Sequence, residues 1–190
     1  MTLTELLIPT FLHMLRGQSA WLDKAAAHEQ AQGKDADALM TLRLAPDMYP
    51  LAAQARFASY LSMEPVHRLR GEPIPEATKE IQREGWNSAQ RPGTFAEAKA
   101  RLATAITFLE ALPGNALDAG EYIDIALELP NGVVFDMTGE QYARDWALAQ
   151  FYFHTNTAYS ILRQHGVELG KGEYVAHALA YLRPGTLPKG

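Results

Sequence analysis

Residues 70–93, RGEPIPEATKEIQREGWNSAQRPG, decide the fold. They include Pro73, Pro75, Gly85, Pro92 and Gly93, and helical periodicity is weak except around Glu76 to Glu84. These 24 residues form a long crossing connection. A helix bundle needs one of this length when its second and third helices run parallel. On its C-terminal side, Thr94 and Glu97 have the spacing of a capping box. Phe95, Ala98, Leu102, Ala105, Ile106 and Leu109 then recur at helical steps until Pro113-Gly114. On its N-terminal side, a helix is expected from about Met48 to Leu69, with Leu51, Ala55, Ala58 and Leu61 on one side. Asp47 is placed to cap that helix, and Pro50 is tolerated in a first turn. Pro65 predicts a kink or an early end near Glu64.

Further out, apolar steps from about Thr4 to about Gln32 describe a long first helix. Pro9 either starts its main part or kinks it. Gly33 stops it, and Asp35 to Leu42 suits a turn or two of helix. Beyond Gly114 the period changes. Tyr122, Ile123, Ile125, Leu127 and Leu129 precede Asn131-Gly132, and Val133, Val134 and Phe135 follow, which is a hairpin signal. Thr138 and Gln141 form a second capping box, and a fourth helix runs to about Gln164. The expected fold class is all-α: a four-helix bundle with a small β-hairpin before the fourth helix. Residues 1–190 form one domain with a tail from about residue 172.

Composition narrows the function classes. The chain has 190 residues, 47% of them hydrophobic and 21% charged, which is the balance of a globular domain. Its net charge of −5 offers no cation excess for nucleic acid. No run of apolar residues reaches membrane-spanning length, and the N-terminus lacks the basic start of a signal peptide, so the cytoplasm is expected. Cysteine is absent, which excludes a disulfide framework, a thiolate metal site and a cysteine nucleophile.

The chemistry-bearing stretch is Tyr142 to Gly166, YARDWALAQFYFHTNTAYSILRQHG. Trp146, Ala149, Phe153, Thr157 and Ile161 form one stripe, and Gln150, His154 and Ala158 form the next. Phe151, Tyr152 and Phe153 turn aromatic surface in several directions, so this helix is either deep in the bundle or covered by a second subunit. His154 is the candidate centre, because a neutral imidazole in a bundle core is either a metal ligand or a buried, hydrogen-bonded ring. Gln150 lies one turn earlier and can point at the same spot. Gln54, on the second helix, is either a pocket amide or a polar boundary residue. The Thr157 hydroxyl either faces a pocket or bonds back to its own helix. His13 and His28 share a side of the first helix but lie roughly 22 Å apart along it, too far to share an ion. His67, His165 and His177 read as surface or helix-end residues. No HisGluXXHis, Gly-x-Ser-x-Gly or phosphate-loop motif is present.

The segments ArgLeuAlaProAspMet at 43–48, AspMetThrGly at 136–139 and PheTyrPheHis…AlaTyrSerIleLeuArg…GlyVal…GlyLys within 151–171 resemble an uncharacterised bacterial family. That family belongs to the DinB/YfiT-like superfamily of metalloenzymes. The resemblance spans nearly the whole chain. It implies a bundle in up-down-down-up order, and in active members a metal held by one histidine of the second helix and two of the fourth. Some members are thiol-dependent transferases or isomerases, and many pair through helix faces. The resemblance places these ligands at Gln54, Gln150 and His154, so two of the three are amides here. Amide oxygens bind zinc or nickel far more weakly than imidazole. The expectation is therefore a degenerate metal-dependent transferase or hydrolase with its cleft at His154. The alternative is a non-catalytic bundle, without metal, that binds a small ligand or serves as a dimeric stress-related protein. A homodimer through aromatic helix surface and a small-molecule ligand are the expected partners.

Overall fold

The computed structural model describes residues 1–186. Helix α1 (Leu3–Ala31) is followed by a 3-10 segment (Ala36–Thr41), then by helices α2 (Leu51–Leu69), α3 (Glu76–Trp86) and α4 (Phe95–Glu110). Strands β1 (Asp124–Glu128) and β2 (Val134–Thr138) form the hairpin. The fourth bundle helix comprises α5 (Gly139–Gln141), a π-helical segment (Tyr142–Ala147) and α6 (Leu148–Gln164). Helix α7 (Lys171–Tyr174) and a 3-10 segment (Ala176–Tyr181) follow, so the expected tail has helical structure, and residues 187–190 lie outside the described part. Helices α1, α2, α4 and the α5–α6 unit make an all-α four-helix bundle in up-down-down-up order.

Two capping boxes form where the sequence places them. The Thr94 hydroxyl accepts from Glu97 N while Glu97 accepts from Thr94 N, and Thr138 and Gln141 repeat the exchange. Asp47 caps nothing: Pro50 is the N-cap of α2 and makes no side-chain cap bond. The helix therefore starts four residues beyond Asp47, out of reach of that short carboxylate. Nor does Pro65 end α2, which continues to Leu69. A mid-helix proline costs about 3 kcal/mol, but α2 is the most enclosed helix, and its packing against α3, α4 and α6 outweighs the lost bond. Pro9 is likewise inside α1, on an exposed face near the helix start.

The crossover contains a helix of its own, α3, which covers the remaining side of α2. Gly85 permits the close approach, since a Cβ there would lie 2.5 Å from the Phe57 ring. Arg56 of α2 is buried. Its Nη1 donates to Ala52 O at 3.0 Å, and its Nε lies 3.4 Å from Glu84 of α3. Arg101 of α4 pairs with the same Glu84. One carboxylate thus ties the crossover to two bundle helices.

The hairpin is antiparallel, with Asp124 opposite Thr138 and Glu128 opposite Val134. Gly132 takes φ +82° in the connection, a left-handed position that an Asn-Gly pair suits. Ile125 and Leu127 of β1 turn inward to the core, while β2 is largely exposed. The expected inward stripe of the fourth helix is corrected. Of its members, Ala149 is exposed and Phe153 is 56% exposed, while Thr157 and Ile161 are buried, together with Ala147, Phe151, Thr155 and Ala158. Four-residue steps drift by about 40° each around a helix, so a line through residues 149, 153, 157 and 161 turns from the surface into the core. His67 is the helix-end residue of the two alternatives: it is buried in the last turn of α2, with Nδ1 3.6 Å from Glu72. His177 stacks on His13 with ring centroids 4.7 Å apart.

Candidate functional site

Gln54 occupies the first turn of α2 and is 1% exposed. Its Nε2 donates to Tyr49 O at 2.9 Å, in the bend that delivers the chain into the helix. Because the carbonyl can only accept, the amide nitrogen faces Tyr49 and Oε1 faces inward. There Oε1 meets Nδ1 of His154 at 2.7 Å, across the interface of α2 and α6. Oε1 can only accept, so His154 carries its proton on Nδ1. The lone pair of the neutral ring is thereby left on Nε2. The Phe57 ring lies 4.8 Å from the imidazole and that of Phe153 lies 5.2 Å away, so the ring is held among aromatic surfaces. Burial lowers the His154 pKa from 6.5 to about 4. At neutral pH the ring is uncharged.

His154 and Gln150 line a cleft of about 660 Å³. Its walls include Phe57 and Tyr60 of α2, Trp86 of α3, Leu127 of the hairpin and Trp146 of the π segment. Crossover, hairpin and fourth helix thus enclose one side of α2. Of the four residues picked out in the sequence, Gln54 and His154 are in direct contact, and Gln150 shares the cleft with His154. Thr157 is elsewhere: it is buried, and its Oγ1 donates to Phe153 O at 2.6 Å. That hydroxyl serves its own helix.

Sequence reading missed the far end of the cleft. Glu64 and Arg68 line it, with Arg68 Nε donating to Glu64 Oε1 at 2.7 Å. The Tyr60 phenol faces the same carboxylate. Burial, followed by the Glu64 charge, raises its pKa and keeps the phenol protonated. The spacing of Glu64 and Arg68 at i, i+4 was visible, but such a pair is usually solvated surface. Only the covering by α3 and the hairpin takes it out of water.

These residues do not fit the three-imidazole metal centre that the resemblance implies. Both ends of the Gln54 amide are already engaged, by Tyr49 and by His154. Gln150 offers only a weak amide oxygen. Among the described residues, no group of three His, Cys, Asp or Glu side chains converges to hold an ion.

The profile of a domain of unknown function, DUF1993, matches residues 3–175. The chain belongs to the DUF1993 family. A crystal structure of a DinB family member protein from Shewanella denitrificans is similar to it, with 31% sequence identity and a TM-score of 0.74. The alignment covers 98% of this chain and 96% of that one. No curated protein matches. This DUF1993 chain therefore has the DinB-like bundle, with two amides, Gln54 and Gln150, near its one cleft imidazole. Its site offers a fixed, neutral acceptor in an aromatic cleft. The low pKa makes Nε2 a poor proton acceptor at neutral pH, though it remains a good partner for a ligand O–H or N–H.

Proposed function

We propose that this protein binds a small amphipathic molecule in the cleft beside His154, with the imidazole Nε2 accepting a hydrogen bond from the ligand. One observation carries the reading: the Gln54–His154 hydrogen bond at 2.7 Å, which fixes the tautomer and turns the unprotonated nitrogen toward the cleft. Aromatic walls supply apolar contact, and Gln150 supplies an adaptable amide. A degenerate transferase or hydrolase at the same place has less support, because two ligand positions are amides and the ring is weakly basic. A cytoplasmic setting, a bacterial source and a homodimer belong to the same proposal. The dimer rests on the exposed aromatics Tyr152 and Phe153 of α6 and Phe135 of β2.

Titration calorimetry with para-ethylphenol and with its methyl ether tests the binding reading. The phenol should bind about tenfold more tightly, the worth of one desolvated hydrogen bond. His154→Leu should abolish the difference. Equal binding of phenol and ether, or an unchanged preference in the variant, would overturn it.

A further inference from the structure

The far end of the cleft has spare donors. Glu64 is buried and already satisfied: Arg68 Nε donates to its Oε1 at 2.7 Å, and the Tyr60 phenol faces it. Arg68 is different. Its side chain is only 23% exposed, yet within the described residues its hydrogen bond to Glu64 is made through Nε alone. The two terminal nitrogens make no close hydrogen bond; they face the phenols of Tyr60 and Tyr142, which can engage two of their four N–H groups and leave the others to a ligand. Behind Arg68 and Glu64 lies Tyr142, fully buried and not part of the cleft lining, with its hydroxyl turned to the Arg68 guanidinium but in no close hydrogen bond among the described residues. Burial raises its pKa well above the ordinary value, so it keeps its proton and remains a donor. Tyr142 is also the first residue of the π-helical segment, a distortion that often accompanies functional sites.

We propose that this end of the cleft is a carboxylate seat, in which the terminal nitrogens of Arg68, held in place by Glu64, receive the acid group of an aryl carboxylate. Its hydroxyl, at the other end, reaches His154. The proposal rests on the binding reading given above and adds the chemical class of the ligand. Net charge does not draw the acid in, since the cleft-lining charges Glu64, Glu128, Arg68 and Lys79 cancel. The attraction lies in the unused donors, because a guanidinium fork matches a carboxylate in shape and charge. Length agrees as well. Phe57, which packs on His154, and Glu64 are seven residues apart on α2, about 10 Å along the axis. An aromatic ring with a short alkyl chain spans that distance, and the walls between are aromatic.

The test is titration calorimetry on the full chain with para-hydroxyphenylpropanoate and with its carboxamide. The acid should bind about tenfold more tightly than the amide, the difference that a charge-assisted bond supplies. Arg68→Gln should erase that difference, bringing acid affinity down to that of the amide. Because Arg68→Gln strands the buried Glu64, Arg68→Lys is made beside it: it keeps the charge but loses the fork, and should lower acid affinity without altering the melting temperature much. If the amide binds as tightly as the acid, the carboxylate seat is wrong and the His154 reading stands. If neither compound binds, both readings fall.

Discussion

A neutral buried histidine leaves a pH signature. The His154 pKa is 6.5 when unfolded and about 4 in the fold. Between these values the unfolded chain binds the proton and the folded chain does not, so acid favours unfolding. The contribution is fully present above pH 6.5 and is lost as the pH falls toward 4, by up to about 3 kcal/mol. Burial also lowers the pKa of His67 and His13, so the signal is the difference between the native protein and His154→Gln. Thermal unfolding from pH 7 to pH 4.5 should show the native melting temperature falling more steeply than that of the variant; parallel curves would contradict the buried neutral ring. Thr157→Val should cost no more than about 1 kcal/mol, since the carbonyl it loses as a partner is still part of the helix ladder, and ligand affinity should not change. At this scale the sequence was informative where a residue stood alone in chemistry. His154 was visible as an imidazole among aromatics, and Gln54 through its position beside an apolar stripe. Tyr142 and the Glu64–Arg68 pair were not, because nothing local says that an i, i+4 ion pair or a helix-start tyrosine will be enclosed.

At the scale of elements, the capping boxes and the hairpin were legible because each is written in three to five adjacent residues. The interior of the crossover was less so. Helix α3 has a short apolar face, with Thr78, Ile81 and Gly85 buried, and its charged residues are tied up in pairs such as Arg83 with Glu76 and Glu80. Gly85 sits where α3 presses on Phe57. Gly85→Ala should destabilise the protein by about 1–3 kcal/mol through overpacking, even though alanine is the better helix former. Denaturant unfolding measures this directly, and a stabilised variant would show that the contact is loose. Helices α2 and α6 show why the remaining detail was hidden. Pro65 is a local stop signal overridden by packing on three neighbours, and the four-residue stripe of the fourth helix drifts around its axis, leaving Ala149 and Phe153 at the surface while Thr157 and Ile161 are buried.

For the molecule as a whole, the long crossover frees one side of α2 to be covered by α3, the hairpin and the fourth helix, and the cleft lies where they meet. The exposed Phe153, Tyr152 and Phe135 surface gives the homodimer proposal a direct check. Light scattering should return twice the 21.0 kDa chain mass, falling to one chain with Phe153→Lys; a monomer at every concentration would contradict it. The cleft stands or falls with the state of its one imidazole. Long-range proton–nitrogen NMR of histidine-labelled protein at pH 7 reports that state. The predicted spectrum has His154 neutral, protonated on Nδ1, and unchanged down to about pH 5, with the tautomer preference lost in Gln54→Leu. A proton on Nε2, or titration of His154 near 6.5, would contradict the claim.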